Sequence, residues 1–155
     1  MISVKDVMNR HVISFAEDTP VDEIAKTLSE KRITGAPVLG RHGEVIGIVS
    51  ELDVFSRPGE SAKDIMSPNV ISITEDTTIT EAAALFAGER IRRLPVLSKG
   101  KMVGLLSRSD VLDFFTHSHW TCTRCGHSER GLQSPESCRH CTGTAFVLER
   151  TQPGS

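Results

Sequence analysis

What this chain lacks narrows it first. No apolar run approaches the ~20 residues of a membrane-spanning helix; the longest, such as Val45-Ile46-Gly47-Ile48-Val49, end far sooner. The start, Met1-Ile2-Ser3-Val4-Lys5-Asp6, lacks the apolar stretch of a secretion signal. Charge of one sign is also missing: 18 Lys and Arg face 20 Asp and Glu, a net −2 that argues for no polyanionic partner. The first 121 residues contain no cysteine, which excludes a disulfide framework spread along the chain. There is no P-loop and no nucleophile–base pair, so nothing in the pattern supports catalysis. At 38% hydrophobic and 25% charged residues the chain reads as globular. The expectation is a cytoplasmic protein without a membrane partner.

What is present is a repeat. Lys5-Asp6-Val7-Met8, Val12-Ile13-Ser14, Glu17-Asp18-Thr19 and Pro37-Val38-Leu39 return as Lys63-Asp64-Ile65-Met66, Val70-Ile71-Ser72, Glu75-Asp76-Thr77 and Pro95-Val96-Leu97, offset by 58 residues. From Gly47/Gly104 to Asp53/Asp110 the offset is 57, so one residue is missing from the Arg41-His42-Gly43 turn in the second copy. A unit this size is too small to bury a comfortable core alone, which predicts two copies packed face to face.

Each copy carries the same order of signals. A turn of helix around Val4–Met8 or Ala62–Met66 leads to a strand, Val12–Phe15 or Val70–Ile73. An amphipathic helix follows, with Val21, Ile24, Ala25 and Leu28, or Ile79, Ala82, Ala83 and Phe86, at i, i+3, i+4 and i+7. Thr19 is placed to cap the first with Pro20 at its first position, and Thr78 with Glu81 makes a capping box. Two β-rich runs come next, Ala36–Leu39 with Val45–Val49 and Leu94–Leu97 with Met102–Leu106, turning at Gly43 and Gly100. Closing helices begin at Ser50 and Ser107. Met8 and Met66 read as core fillers, His11 and His42 as solvated turn residues. The predicted division is repeat 1 over 1–58, repeat 2 over 59–116, a cysteine module over 117–151 and a tail at 152–155.

The sharpest motif is Gly-apolar-apolar-Ser-x-x-Asp, present as Gly47 to Asp53 and Gly104 to Asp110. Ser-x-x-Asp where a strand meets a helix is a capping box in itself. The same geometry offers free N–H groups and a positive dipole end to a phosphate, and a carboxylate to a ribose diol. Both readings stay open on the motif alone. The order of elements, the Asp-Val-Met start, the Pro-Val-Leu strand and the Gly-to-Asp ending together resemble a tandem CBS-domain pair, or Bateman module, over residues 1–116. That resemblance implies an α/β (α+β) fold: two pseudo-symmetric β-α-β-β-α repeats forming one disc. It further implies an adenine nucleotide or related adenosyl ligand, and a homodimer. Carried over by position, Asp110 and Asp53 hold ribose hydroxyls and Ser107 and Ser50 face phosphate. The strands with Ile71 and Ser72, and with Ile13 and Ser14, flank the adenine. The copies differ in charge: Arg92, Arg93 and Arg108 in the second stand where the first has Thr34-Gly35-Ala36 and Glu51. The second repeat is therefore expected to hold the better nucleotide site.

Cys122-x-x-Cys125 and, twelve residues on, Cys138-x-x-Cys141 bring four thiolates toward one tetrahedral site. The segment resembles a zinc ribbon, with Gly126 and Gly143 after the knuckles relieving the backbone. About 34 residues cannot fold on their own core, so metal is expected to supply much of the folding energy. Zinc is expected, with iron as the alternative. A complete Cys₄ set leaves no open position for metal-activated water and displaces His117, His119, His127 and His140 as ligands. Trp120 reads as packing over the knuckle. From His117 onward four Arg oppose three Glu, less basic than a nucleic-acid footprint, and a protein-partner contact fits as well. The leading reading is a non-enzymatic adenine-nucleotide sensor. The alternatives are a nucleic-acid-binding transcription-type regulator with a dimerising pair, and a rubredoxin-like iron electron carrier.

Overall fold

The 3.6-residue spacing of the first copy becomes helix α1 (Val21–Lys31), which buries Ile24 and Leu28. Its counterpart α4 (Ile79–Glu89) buries Ile79, Ala82 and Phe86. A computed structural model describes residues 1–151, so the tail at 152–155 lies outside the described residues. Around α1 run strands β1 (Phe15–Ala16), β2 (Gly35–Leu39) and β3 (Val45–Ser50), in that order across the sheet. β1 is parallel to β2, as a helical crossover requires, and β2–β3 is an antiparallel hairpin with Ala36 opposite Val49. The second copy repeats this with β4 (Ile73–Thr74), β5 (Arg93–Ser98) and β6 (Lys101–Ser107). The hairpin turns hold Gly43 at φ 81° and Gly100 at φ 78°, the left-handed region that glycine enters freely.

Two local expectations need correction. The strands predicted over Val12–Phe15 and Val70–Ile73 are shorter and later, because only Phe15–Ala16 and Ile73–Thr74 find a neighbour to pair with. Thr19 does not cap α1; Pro20 is the N-cap residue, and Thr19 Oγ1 instead accepts the Ala16 N–H at 3.0 Å within the preceding turn. The closing helix expected from Ser107 is α5 (Arg108–His117), with Ser107 as its N-cap. Thr78 and Glu81 do form their capping box.

The chain condenses into two compact units that cut across the repeats. One comprises Asn9–Thr74 and Leu94–Leu105, with a core of Phe15, Ile24, Leu28, Ala36, Val38, Val49, Ala62 and Ile65. Helix α3 (Ala62–Ile65), the opening turn of the second repeat, docks here on the first: Ala62 and Lys63 donate backbone N–H groups to Thr19 O and Glu17 O, each at 2.9 Å. The other unit comprises Met1–Met8, Glu75–Arg93 and Leu106 onward. In it the 3₁₀ turn Val4–Asp6 of the first repeat docks on the second, with Val4 N–H to Thr77 O at 2.8 Å and Lys5 N–H to Glu75 O at 3.2 Å. Each repeat thus opens on the other.

The cysteine module grows straight out of α5. Strand β7 (Ser118–Cys122) begins one residue after the helix ends and is flanked by β8 (Ser128–Glu129) and β9 (Phe146–Arg150), both antiparallel to it. Trp120 is buried opposite Leu148, and its indole N–H reaches Gly131 O at 3.1 Å.

Candidate functional site

Where β3 enters α2 (Glu51–Ser56), the Ser-x-x-Asp motif is fully engaged as a cap. Asp53 Oδ2 accepts from the Ser50 N–H at 2.8 Å and from Ser50 Oγ at 3.0 Å, while Ser50 Oγ accepts the Asp53 N–H at 3.3 Å. The other oxygen, Oδ1, pairs with Arg57 Nε at 3.3 Å, one helical turn on. Arg57 also donates to Met66 O. Asp53 is only 8% exposed. Both Asp53 oxygens are thus engaged within the protein. Nearby, Ile13 lines a cavity of about 110 Å³ with His11, Val12, Ile33 and Gly35, and Gly35 is the residue paired with Ser50 across the hairpin. Ser14 is half-buried.

The second copy departs from this at one position. Asp110 Oδ2 accepts the Ser107 N–H at 2.8 Å and Ser107 Oγ accepts the Asp110 N–H at 3.2 Å, the same box. One turn on stands Phe114 rather than arginine, so among the described residues Asp110 Oδ1 has no partner. Ser107 Oγ is hydrogen-bonded to Ser109 Oγ at 2.9 Å. Asp110 is half-buried and opens on a cavity of about 190 Å³ lined by Val7, Asp113, Phe114, His117, Arg150 and Thr151. The arginines singled out from sequence do not line it. Arg108 faces another cavity between α4 and α5, with Phe86, Val111, Leu112, Phe115 and Leu132. Its N–H binds Arg92 O at 3.1 Å, and Arg92 is exposed. Arg93 is half-buried at the start of β5. Ile71 and Ser72 precede β4 within the other compact unit. The cation that does line the Asp110 cavity, Arg150, escaped sequence reasoning, since no spacing rule links residue 150 to residue 110.

The four cysteines converge. All four Sγ atoms lie within 4.8 Å of one another, with Cys122–Cys141 and Cys125–Cys138 each at 3.6 Å. A tetrahedron with metal–sulfur bonds of about 2.3 Å has S···S edges of about 3.8 Å. The cluster therefore fits one tetrahedral ion and is too wide for disulfides. The knuckle N–H groups of His140 and Gly143 point at Cys138 Sγ (3.3 Å) and Cys141 Sγ (3.4 Å), as thiolate ligands require. Gly126 relieves its turn at φ 82° as expected, but in the second knuckle the left-handed residue is Thr142 at φ 63°. Gly143 serves space: a Cβ there would sit 3.2 Å from Cys141 Sγ and 3.3 Å from Cys122 Sγ.

The thiols of the cluster also differ in acidity. The Cys122 thiol is lowered to about 7, chiefly by the Cys125 N–H, with the Arg124 N–H and neighbouring thiols helping against desolvation. The His127 N–H favours a thiolate at Cys125 as well, but desolvation and the other three sulfurs outweigh it and push that thiol up to about 12. A divalent ion bound by all four sulfurs would offset two of the four thiolate charges and favour the deprotonated form at each. The histidines are not in the cluster; His119 and His127 face Glu149 and Glu129.

Comparison with known proteins agrees with the repeat. The family model described as CBS domain matches residues 4–60 and again 62–117. An uncharacterized protein of Methanopyrus kandleri is 34% identical over 120 residues, covering 72% of this chain and 61% of its own. The inosine-5'-monophosphate dehydrogenase of Korarchaeum cryptofilum is 35% identical over 119 residues, covering 74% of this chain but 24% of the enzyme. The chain thus spans only part of these relatives. Among solved structures, CBSX2 of Arabidopsis thaliana in complex with AMP superposes with TM-score 0.69 at 28% identity, covering 72% of this chain and 94% of that one. A CBS domain pair in complex with 5'-methylthioadenosine and S-adenosyl-L-methionine gives 0.68 at 25% identity, with coverage of 75% and 97%. No helix among the described residues is long and apolar enough to cross a membrane.

Proposed function

The chain belongs to the CBS domain family, and from that premise we propose that it is a non-catalytic regulatory protein that senses an adenosyl ligand through the Ser107–Asp110 end of its second repeat. The observation that carries this is the contrast between the two aspartates. Asp53 spends both oxygens within the protein, on its cap and on Arg57, whereas Asp110 keeps one oxygen for a ligand hydroxyl. The complexes of two relatives, with AMP and with S-adenosyl-L-methionine and 5'-methylthioadenosine, give the ligand class. Calorimetry with AMP, S-adenosylmethionine and methylthioadenosine on wild type, Asp110→Ala and Asp53→Ala tests it. Binding lost with Asp110 and kept with Asp53 supports the reading, and the reverse pattern refutes it.

The Cys₄ module takes zinc in this reading and works as a partner-contact element. Bound zinc supplies a structural cross-link between the two knuckles and no reactive position, since all four ligands come from cysteine. Elemental analysis finding about one zinc per chain supports this; a red protein with thiolate-to-iron absorption favours the electron carrier instead.

A second copy of the chain is the partner that the helical faces suit. The cavity beside α1 and α2 is lined by Ala25, Leu28, Val54 and Phe55 with Glu51. That beside α4 and α5 has the repeat-equivalent Ala83, Phe86, Val111 and Leu112 with Arg108. Leu52, Phe55 and Leu112 are 67%, 79% and 63% exposed, more apolar surface than lone side chains explain. Opposite charges at equivalent positions favour a homodimer that seats one face on the other. Light scattering on wild type, Glu51→Arg, Arg108→Glu and the double variant checks it: each single reversal yields monomer and the double restores dimer.

A further inference from the structure

Helix α5 presents Asp110, Asp113, Phe114 and His117 to one cavity, and their i, i+3, i+4, i+7 spacing makes them a single face. The wall opposite that face comes from the cysteine module. Strand β9 pairs with β7 so that Arg150 lies opposite Ser118. Thr151 then locks it there, its N–H and its Oγ1 both donating to His117 O, at 2.8 and 3.2 Å. The Arg150 guanidinium stands over the buried Phe114 ring, 5.4 Å from its centroid, a platform that orients the cation.

Two carboxylates and one guanidinium therefore share about 190 Å³, yet Arg150 forms no ion pair within 4.0 Å of Asp110 or Asp113. Among the described residues Asp110 Oδ1 is uncommitted, and His117 spends Nδ1 on Asp113 O of its own helix. Cation and anions face one space without neutralising each other. A group that carries hydrogen-bond donors on one side and negative charge on the other satisfies both.

We propose that Arg150 is a ligand-contacting residue: it takes the anionic group, phosphate or carboxylate, of an adenosyl ligand whose hydroxyl or ammonium donors meet Asp110 and Asp113. This rests on the adenosyl reading above and adds to it that the cysteine module completes the ligand site. Metal binding and ligand binding are then linked through β9, because the strand that carries Arg150 belongs to the sheet that the Cys₄ cluster closes.

The test uses the full chain, loaded with zinc, and calorimetry with three probes. AMP offers a phosphate, S-adenosylmethionine a carboxylate beside an ammonium, and methylthioadenosine no anionic group. Arg150→Ala is expected to weaken AMP, S-adenosylmethionine or both by about tenfold to a hundredfold, the loss of a charge-assisted contact. Methylthioadenosine should change less than about twofold, and Arg150→Lys should recover part of the loss. Loss with AMP alone identifies phosphate as the partner, and loss with S-adenosylmethionine alone identifies carboxylate. If wild type binds these ligands and Arg150→Ala binds all three as well, the inference is wrong while the adenosyl reading stands. Equal loss of methylthioadenosine also overturns it, since the effect is then general collapse of the wall. If wild type binds none of the three at millimolar concentration, the adenosyl reading falls and takes this one with it.

Discussion

Replacing Asp53 and Asp110 in turn by alanine tests the proposal that the first carboxylate is structural and the second binds ligand. Both variants lose a capping box, which costs about 0.5–2 kcal/mol. Asp53→Ala loses in addition the pair with Arg57, whose side chain is 48% exposed, so solvent screening limits that contribution to about 0–1 kcal/mol. Asp53→Ala should therefore destabilise by about 0.5–3 kcal/mol and Asp110→Ala by about 0.5–2 kcal/mol, the difference being the Arg57 pair at about 0–1 kcal/mol. For a chain of 155 residues each kcal/mol lowers Tm by roughly 2–4 °C. Asp53→Ala should then melt at the same temperature as Asp110→Ala or up to about 4 °C lower, while Asp110→Ala loses most adenosyl-ligand binding and Asp53→Ala keeps it. Thermal melts followed by circular dichroism, with calorimetry on the same preparations, read both axes. The reasoning is refuted if Asp53→Ala loses ligand binding, or if Asp110→Ala proves the less stable while still binding ligand.

Gly47→Ala should cost about 1–3 kcal/mol by overpacking, because its Cβ would lie 2.4 Å from Met66 Sδ and 3.1 Å from Met66 Cβ. Measured by urea unfolding in a Met66→Ala background, that cost should largely vanish. Gly143→Ala, crowding two sulfurs, should weaken metal retention against a chromophoric chelator, and Cys138→Ser should unfold the β7–β9 sheet while the remainder still melts cooperatively. Arg90→Gly should stabilise by roughly 0.5–1 kcal/mol, since Arg90 ends α4 at φ 53°. Asp64 is held below the usual carboxylate range first by the Glu60 and then by the Ser61 backbone N–H. Its contribution is present above about pH 4 and lost as pH falls through its lowered value, so Asp64→Asn should flatten the acid limb of a Tm-against-pH curve.

Helix α1, helix α4 and the two hairpins could be read from the chain because their burial follows simple periods, 3.6 and 2. β1 and β4 were harder, since two paired residues leave almost no alternation to detect. The exchange of opening turns was invisible for a different reason. Lys5-Asp6-Val7-Met8 and Lys63-Asp64-Ile65-Met66 are nearly the same motif, so nothing in either says which copy it will dock on. The cysteine cluster was legible because ligand spacing is itself the chemistry. In the proposed ligand site, Arg57 at i+4 from Asp53 was available as a sign of a committed carboxylate, whereas Arg150 reaches Asp110's cavity only through the β7–β9 register.

The exchanged opening turns also set a timetable for synthesis. Synthesis from the N-terminal side makes the Val4–Asp6 turn before the residues it docks on, and the ion pair of Lys5 with Asp76 spans 71 residues. The first unit to near completion still waits for Leu94–Leu105, and the other needs residues up to the end of β9. No finished unit exists while the first repeat alone is outside the ribosome. Non-local closure of this kind slows folding and leaves apolar edges uncovered meanwhile. A stop placed after residue 60 should therefore release an aggregation-prone fragment rather than a small stable domain, and metal capture waits until the last cysteine, at 141, has been made.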